Sequence, residues 1–366
     1  MTLYALLGRV LPQRQPPADP HRILLILPCC IGDVVLATAA LCALRRAYPH
    51  AKIEWAVGSW SKGVVERHDL LDGIVDTGPA ALPVRTPAAL LRFVRLLRGR
   101  RFDLAISLVR SPLMSAALLL TGIPHRAGID SAGRGFGYTI RAPIDPDVAR
   151  HEAEVYLDVL RAFGIETTGC YANVPVLDAD RAEAEARLGG WPGAARSYIV
   201  INPAGGRNPG MIFDDKRWPP QSFAALADRL AVRLEAGIVL LGGPADGAIL
   251  AAVDAQMRAP RLIIAGGLSF GAIGALAAAA RLYIGNDTGL THLAAAAGAH
   301  TVMIFGPSNP ARYAPYVPPE RALTLWKPVR LPTRGVASGA PATFDWARDG
   351  IGVDEAEAQI AAFLNL

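Results

Sequence analysis

The residues with the clearest chemical potential lie in the stretch Ile284–Leu293, which is Ile-Gly-Asn-Asp-Thr-Gly-Leu-Thr-His-Leu. An apolar run leads into it, Asp287 and Thr288 are residue types that cap helices, and apolar residues then recur at helical spacing. The pattern predicts a strand, a tight loop and a helix start. Backbone N–H groups and the helix dipole favour phosphate there, and Gly289 leaves room for a ligand's oxygens. An ordinary capped junction without a ligand is the alternative.

A carboxylate follows the first apolar run of the chain. In Cys30-Ile-Gly-Asp-Val34, one glycine precedes Asp33, and the dinucleotide-binding pattern G-x-G-x-x-G is absent at this point. An aspartate here either caps the next helix or acts as a general base that takes the proton from an attacking hydroxyl. The sequence leaves both roles open.

A long loop rich in glycine and basic residues follows the strand predicted at Tyr198–Asn202. It contains Gly205, Gly206 and Arg207, and it ends in Asp-Lys-Arg-Trp-Pro, which includes Lys216. Long loops in compact domains are often functional, and glycines let backbone amides approach a phosphate. We therefore predict that Lys216, supported by Arg207, neutralises a diphosphate leaving group. A solvated basic loop is the alternative.

Three further residues follow or begin predicted elements in the same half of the chain. Asp246 follows Gly-Gly-Pro-Ala and either accepts a ribose hydroxyl or caps its helix, whereas Leu268 follows two glycines and is placed to pack on a base. His292 stands one turn into its helix. A lone histidine there is more often a packed structural residue than a catalyst, so it is expected only to support the site.

Apolar strands and amphipathic helices alternate along the chain in two runs, which are the elements that must position these residues. The strands are predicted at Ile23–Leu27, Lys52–Val57, Ile74–Asp76, Leu104–Leu108, Arg126–Ile129, Tyr198–Asn202, Gly237–Leu241, Leu262–Ala265, Leu282–Ile284 and Thr301–Phe305. The helices are predicted at Val34–Ala47, Pro87–Arg98, Met114–Leu120, His151–Phe163, Arg181–Leu188, Phe223–Leu234, Ala245–Met257, Phe270–Ala279 and Val353–Leu364. Such alternation implies parallel sheets that bind ligands beyond the strand carboxyl ends.

A stretch without strong periodicity, Glu166–Ala179, separates the two runs. We expect an N-terminal apolar segment and Pro-rich spacer at 1–20, one Rossmann-like domain at 21–175, a second at 176–350, and a closing helix at 351–366. Pro28–Asp33 is expected to be a loop before the first helix. The chain of 366 residues is long enough for two such domains.

Composition narrows the choice of partner. Apolar residues make up 52% and charged residues 19% of the chain, which is typical of a globular protein. The net charge of +5 comes from many Arg and very few Lys. It fits an acidic ligand, nucleotide phosphate or an anionic membrane face, although a general basic bias explains it equally. Without a basic run, zinc-finger spacing or an aromatic-rich strand, the sequence predicts no nucleic-acid partner.

The cysteines and the N-terminal segment give indications of where in the cell the protein is located. Neighbouring Cys29 and Cys30 are not expected to bridge, and no C-x-x-C spacing suggests zinc, so a reducing cytoplasm is the simple interpretation. The first twelve residues are too few to span a bilayer. They either form a short interfacial helix or dock on the body, with one apolar face made of Leu3, Leu6, Leu7 and Val10.

Taken together, the motifs resemble glycosyltransferase family nine, the heptosyltransferase-like enzymes of lipopolysaccharide assembly. The resemblance runs from about Arg22 to Pro310. It rests on Gly32-Asp33, Asp215-Lys216-Arg217-Trp218-Pro219, Gly242-Gly243-Pro244, Asn286-Asp287-Thr288-Gly289-Leu290-Thr291-His292-Leu293 and Phe305-Gly-Pro307.

The resemblance implies a GT-B fold, in which two Rossmann-like domains face each other across a cleft. It implies inverting, metal-independent transfer, with no cofactor, from a nucleotide-diphosphate sugar to a lipid-linked glycan, at the cytoplasmic face of the inner membrane. It makes Asp33 the base that activates the acceptor hydroxyl. It places the diphosphate on Lys216, Thr288 and Gly289, and it makes Asp287 orient the sugar or its own loop.

The sequence departs from the best-known heptosyltransferases at three places, and one of them is a longer loop before Lys216. Gly205 and Gly206 stand where those enzymes have hydroxyl residues, and Ala245-Asp246 stands near the position of their ribose-binding glutamate. The resemblance implies a sugar such as heptose, but these departures leave the sugar and the nucleotide base open. The rival hypotheses are a non-catalytic nucleotide-sugar-binding protein with the same fold and a nicotinamide-dependent dehydrogenase. Both Asp33 and Lys216 argue against the first, and the missing glycine fingerprint argues against the second.

Overall fold

The chain forms two compact α/β units, divided between Ala172 and Asn173. A computed structural model describes residues 11, 13–194, 197–329 and 344–366. Each unit is built on a six-stranded parallel sheet. The predicted class, with two Rossmann-like sheets, is confirmed.

The first unit has the sheet order β3-β2-β1-β4-β5-β6. Because the order reverses at β1 and β4, the loops after these two strands open at the point where such sheets bind ligands. The strands are β1 (Arg22–Ile26), β2 (Lys52–Val57), β3 (Gly73–Asp76), β4 (Leu104–Ser107), β5 (His125–Ser131) and β6 (Ile140–Ile144). The helices are α1 (Ile31–Ala47), α2 (Lys62–Val65), α3 (Pro87–Arg98), α4 (Pro112–Thr121) and α5 (Glu152–Arg161).

The second unit repeats the plan with the order β11-β10-β7-β12-β13-β14, which reverses at β7 and β12. Its strands are β7 (Tyr198–Asn202), β8 (Arg207–Asn208), β9 (Met211–Ile212), β10 (Gly237–Gly242), β11 (Arg261–Ala265), β12 (Leu282–Asn286), β13 (Thr301–Ile304) and β14 (Ala322–Leu325). Its helices are α6 (Asp178–Leu188), α7 (Pro220–Leu234), α8 (Gly247–Asp254), α9 (Phe270–Ala279), α10 (Gly289–Ala296), α11 (Pro310–Tyr313), α12 (Trp346–Asp349) and α13 (Val353–Phe363).

The central strands are mostly apolar and are buried along their whole length because helices cover both faces of each sheet. All five residues of β7 are buried, and so are those of β12. Trp218 packs edge-to-face on Phe223, with ring centroids 5.2 Å apart, and its indole N–H donates to the carbonyl of Ile351 at 3.0 Å. That bond ties the long loop after β7 to the segment before α13, so the last helix belongs to the core of the second unit.

Three expectations from the sequence were wrong in detail. Helix α1 begins at Ile31, so Asp33 lies in its first turn and not in a loop. The edge strands β6 and β14 were not predicted. The sulfurs of Cys29 and Cys30 are joined as a disulfide across a cis peptide bond, which brings the two Cα atoms to 3.1 Å.

Within the described ranges, the structure contains no helix that is both long and apolar enough to cross a membrane. The predicted apolar face of Leu3, Leu6, Leu7 and Val10 lies outside the described residues.

Candidate functional site

The main candidate site occupies the switch point of the second unit. The loops after β7 and β12 meet there, because these strands are neighbours in register, Ile201 beside Ile284 and Asn202 beside Gly285. Helix α10 starts directly after β12, and its first turn directs backbone N–H groups toward the same edge of the sheet. The residues predicted from sequence therefore converge on one place.

A buried amide, Asn286, fixes the two ends of the β7 loop. Its Oδ1 accepts from the backbone N–H of Trp218 at 2.9 Å, and its Nδ2 donates to the carbonyls of Pro203 at 2.9 Å and Ala204 at 3.2 Å. Asn286 is fully buried, so losing either partner would leave a polar group without compensation. The loop that contains Lys216 is thus anchored at both ends to the last residue of β12, directly before Asp287.

The glycines of this loop approach the start of α10 closely. A Cβ at Gly205, which has φ +115°, would lie 2.0 Å from Cγ2 of Thr288, and one at Gly206 would lie 2.2 Å from the carbonyl oxygen of Phe213. The carbonyl of Gly205 accepts from Nε of Arg217 at 2.9 Å. A larger residue at Gly205 would push the β7 loop away from α10, and one at Gly206 would clash with Phe213 within the loop, so packing requires both glycines whether or not a ligand is present.

A buried ion pair is the charged centre of the site. Nζ of Lys216 lies 2.6 Å from Oδ2 of Asp287, and both side chains are largely buried, at 14% and 5% exposed. The hydroxyl of Ser308 donates to the same Oδ2 at 2.6 Å, and Nε2 of His292 lies 4.0 Å from Oδ1. Nζ of Lys216 also lies 5.7 Å from the ring centroid of Tyr313.

The ionisation of Asp287 follows from these neighbours. Burial on its own would raise the pKa of this carboxyl, but the charge of Lys216, followed by His292 and the hydrogen bonds from Lys216 and Ser308, outweighs burial and lowers the pKa. Asp287 is therefore an anion that holds the Lys216 ammonium in place. An ammonium has three donors, so Lys216 retains N–H groups for a further acceptor.

Helix α10 supplies the second feature suited to an anion. Thr288 is its N-cap and has extended backbone, and the N–H groups of Thr291 and His292 both donate to the carbonyl of Thr288 at 3.2 Å. The N–H groups of Gly289 and Leu290 belong to the first turn, which has no acceptor within the helix. The hydroxyl of Thr288 lies 3.3 Å from that of Thr291.

The outer predicted residues occupy neighbouring loops on the same sheet edge. Arg207 is exposed on the two-residue strand β8, and Leu268 is half-buried after β11. Oδ2 of Asp246 accepts from the backbone N–H of Gly243 at 2.8 Å, which closes the turn after β10. This bond gives Asp246 a structural role at the turn, whereas its predicted contact with ribose stays a prediction.

Three residues at this site were not predicted from sequence. Ser308 lies on the loop after β13, Tyr313 ends α11, and Trp346 begins α12. The indole N–H of Trp346 donates to the carbonyl of Asp215 at 3.0 Å, and its ring occupies the space beside Gly306. The sequence assigned no role to the segment 342–346, of which 342 and 343 lie outside the described residues, but Trp346 in this segment supports the Lys216 loop. Only Phe305-Gly-Pro307 gave a signal near these residues.

In the first unit, Asp33 lies at the corresponding switch point, after β1. Its Oδ2 accepts from the backbone N–H of Cys30 at 3.3 Å, which is the capping interaction that the sequence allowed. Its Oδ1 accepts from the hydroxyl of Tyr156 at 2.9 Å, a contact that the sequence did not predict. Asp33 is half-buried and Tyr156 is buried. The cap and a catalytic role are compatible, because the cap uses one oxygen of the carboxylate.

A second buried ion pair accompanies Asp33. Nη2 of Arg110, on the loop after β4, lies 2.6 Å from Oε2 of Glu152, the first residue of α5. Glu152 and Tyr156 are one helical turn apart on the same face. Among the described residues, no group of three or more His, Cys, Asp or Glu side chains is arranged to hold a metal ion.

Solved structures share the fold of this chain. The chain matches the glycosyl transferase family 9 from Veillonella parvula DSM 2008 with a TM-score of 0.80 and 22% identity, covering 96% of this chain and 100% of that one. It matches the structure of Escherichia coli ADP-heptose lps heptosyltransferase II with a TM-score of 0.68 and 23% identity, covering 94% and 98%. The fold is that of the GT-B glycosyltransferases.

The family follows from the sequence itself. The model of "Glycosyltransferase family 9 (heptosyltransferase)" matches residues 90–334, more than half of the chain, so the protein belongs to this family and is a glycosyltransferase. It is 28% identical to lipopolysaccharide heptosyltransferase 2 of Escherichia coli over 79% of this chain and 84% of that protein. It is 28% identical to lipopolysaccharide heptosyltransferase 3 of the same organism over 83% and 88%.

Proposed function

We propose that the protein transfers a sugar from a nucleotide-diphosphate donor to a lipopolysaccharide or related lipid-linked glycan, with inversion and without a metal ion. The observation that carries the proposal is the buried Lys216–Asp287 pair beside the start of α10, at the switch point of the second unit. A cation and a helix start at one point favour a diphosphate, which carries negative charge before transfer and gains more as it leaves.

In this proposal the second unit binds the donor. Lys216 and the N–H groups of Gly289 and Leu290 contact the diphosphate oxygens, with Thr288 at the edge of the same site. Asp287 acts through Lys216, whose Nζ it holds at 2.6 Å, so that the cation is in place before the ligand arrives. Because Lys216 and the helix start supply the positive charge that the leaving group requires, the proposed step uses no divalent ion.

In the first unit, Asp33 is the proposed general base. A hydroxyl that attacks an anomeric carbon must lose its proton as the new C–O bond forms, and a carboxylate accepts that proton. Direct attack by the acceptor forms one bond at the anomeric carbon while the bond to the diphosphate breaks, which inverts the configuration. Asp33 precedes the matched residues 90–334, so its role is supported by its place after β1 and its contacts.

The substrate class is taken from the relatives. Similar proteins include lipopolysaccharide heptosyltransferases, and one similar solved structure is that of an ADP-heptose lps heptosyltransferase. We propose a nucleotide-diphosphate heptose, or a closely related sugar, as donor. An ADP-sugar is the first donor to test.

A thermal-shift screen of nucleoside diphosphates, followed by a transfer assay with the selected donor, tests the proposal. A ligand that binds only the folded state raises the melting temperature. At a ligand concentration of a hundred times the dissociation constant, it adds about 2.7 kcal/mol to the free energy of unfolding. We expect at least one nucleoside diphosphate to do so, with transfer from the matching sugar. No shift with any of them at millimolar concentration would contradict the proposal.

We also propose peripheral contact with an anionic membrane, at the cytoplasmic face. Helix α3 supports it, because Leu91 on its surface is 51% exposed beside basic residues such as Arg92 and Arg95. Binding to anionic vesicles is expected to be weak and to decrease with salt. A protein that stays wholly unbound at low salt would contradict it.

A further inference from the structure

A phenol and an ion pair lie behind the Asp33 carboxylate, and the proposed transfer assigns neither of them a role. The hydroxyl of Tyr156 donates to Oδ1 of Asp33, and Glu152, one turn earlier on α5, pairs with Arg110. We propose that Tyr156 is a positioning residue that holds the Asp33 carboxylate in one orientation and favours its ionised form, within the field of the Glu152–Arg110 pair. The inference rests on the proposed function, in which Asp33 is the base.

The geometry holds the carboxylate by both of its oxygens. The N–H of Cys30 reaches Oδ2 at 3.3 Å from the start of α1, and the hydroxyl of Tyr156 reaches Oδ1 at 2.9 Å from α5. One donor alone would let the carboxylate turn about its Cβ–Cγ bond. Two donors from different elements fix the plane of the carboxylate, as a base requires if it is to meet a hydroxyl proton in line.

The position of Tyr156 is itself fixed. Helix α5 packs against α1, its N-cap His151 accepts from the N–H of Ala153 at 3.2 Å, and Tyr156 is 2% exposed. The phenol therefore has a single orientation available in the packed unit, and its hydroxyl is aimed at the first turn of α1.

The proton in the Tyr156–Asp33 bond stays on the phenol. Burial, and then the negative charges of Asp33 and Glu152, raise the pKa of Tyr156 well above its usual value, while Arg110 opposes them. Tyr156 is thus a permanent donor to Asp33. A hydrogen bond donated to a carboxylate favours the charged form of that carboxylate.

Besides Asp33, the charges that act on Tyr156 are those of Glu152 and Arg110. Glu152 on α5 is negative and largely buried, at 4% side-chain exposure, and Arg110 on the loop after β4 is positive, at 27%. Glu152 disfavours a second negative charge nearby, and Arg110 compensates for it. Removal of the phenol and removal of Glu152 should therefore shift the protonation of the base in opposite directions.

The test compares pH–rate profiles of Tyr156→Phe, Glu152→Gln and the parent protein under saturating donor. Tyr156→Phe removes a hydrogen bond to a charged group, so its kcat at neutral pH should fall about tenfold. The acid limb of its pH–rate profile should move up by about one pH unit. KM for the donor should not change. Glu152→Gln should move the acid limb to lower pH. Melting curves confirm that each variant is folded.

Tyr198→Phe is the matched control. Its phenol is also buried, but its hydroxyl donates to the carbonyl of Leu276 at 2.9 Å, at the amino end of β7, so its profile should equal the parent's. An acid limb of Tyr156→Phe that coincides with the parent's would overturn the positioning role, while an inactive Asp33→Asn would leave the proposed function standing. Full transfer by Asp33→Asn would instead overturn the proposed function.

Discussion

The two switch points of the molecule have the same topology and opposite chemistry. In the second unit a lysine is held by a buried aspartate beside a glycine-lined helix start, which suits an anionic ligand. In the first unit a carboxylate is held by a buried phenol and a backbone N–H, which suits a proton acceptor. The reversal of strand order opens a crevice at both points, and the residue types that follow β1, β7 and β12 decide what chemistry each crevice suits.

The largest effect expected from breaking this contrast is on Asp33. Asp33→Asn keeps the size and an oxygen that can accept from the backbone N–H of Cys30 at the start of α1, but it removes the basicity. Transfer should fall by roughly a hundredfold to ten-thousandfold, the usual span for a lost general base. The melting temperature should remain near the parent's. A transfer assay on a folded preparation measures this, and near-parental rates would show that Asp33 is only a cap.

The next largest effect is expected at Lys216, whose charge contributes both to the stability of the fold and to the rate of transfer. Lys216→Met leaves Asp287 buried without its cation, so the variant should be less stable by about 3 kcal/mol and about a hundredfold slower in transfer. The double variant Lys216→Met/Asp287→Asn removes both charges and should recover most of the stability but not the rate. Denaturant unfolding and steady-state kinetics separate the two effects. Recovery of transfer in the double variant would remove Lys216 from the donor site.

The pH dependence of the unfolding free energy tests the role of Asp287. Because the folded-state pKa of this carboxyl is lowered, its contribution is present above the unfolded-state value of about 3.9 and is lost as pH falls through the folded-state value. The difference in unfolding free energy between the parent and Asp287→Asn should be constant above about pH 5 and should shrink below about pH 4. A difference that stays constant down to pH 3 would contradict the ion-pair assignment.

The smallest effect is expected at Thr288. Thr288→Val removes the hydroxyl, which lies 3.3 Å from that of Thr291, but keeps the branched side chain that packs on Gly205 and the N–H groups of α10. Donor KM should rise less than about tenfold, since a neutral hydrogen bond contributes about 1 kcal/mol. A loss as large as that of the Lys216 variant would mean that the hydroxyl, and not the helix start, holds the diphosphate.

The sequence predicted the fold where one physical signal dominated. Central strands such as β1 and β7 are buried on both faces, so their apolar runs identified them directly. The edge strands β6 and β14 escaped because β6 contains Pro143, which is tolerated only at a sheet edge, and because three of the four residues of β14 are only half-buried. The start of α1 was placed too late because Gly32 weakens a helical pattern.

The residues of the candidate site that belong to local sequence motifs could be predicted from the sequence. Lys216, Asp287 and Gly205 lie in loops that follow recognisable strands, so their convergence follows from the topology. Tyr156 and Trp346 are ordinary core-type residues in sequence, and only the packing of α5 on α1, and of α12 on the Lys216 loop, shows which polar group each one contacts. Long-range partners of this kind carry no local signal.

Calorimetric titration of nucleoside diphosphates into the parent, Asp33→Asn and Lys216→Met proteins tests the division of roles most directly. If the second unit binds the donor and the first supplies the base, Asp33→Asn should bind the preferred nucleotide with the parent's affinity, and Lys216→Met should bind it at least about tenfold more weakly. Parental affinity in Lys216→Met, or lost affinity in a folded Asp33→Asn protein, would contradict the account.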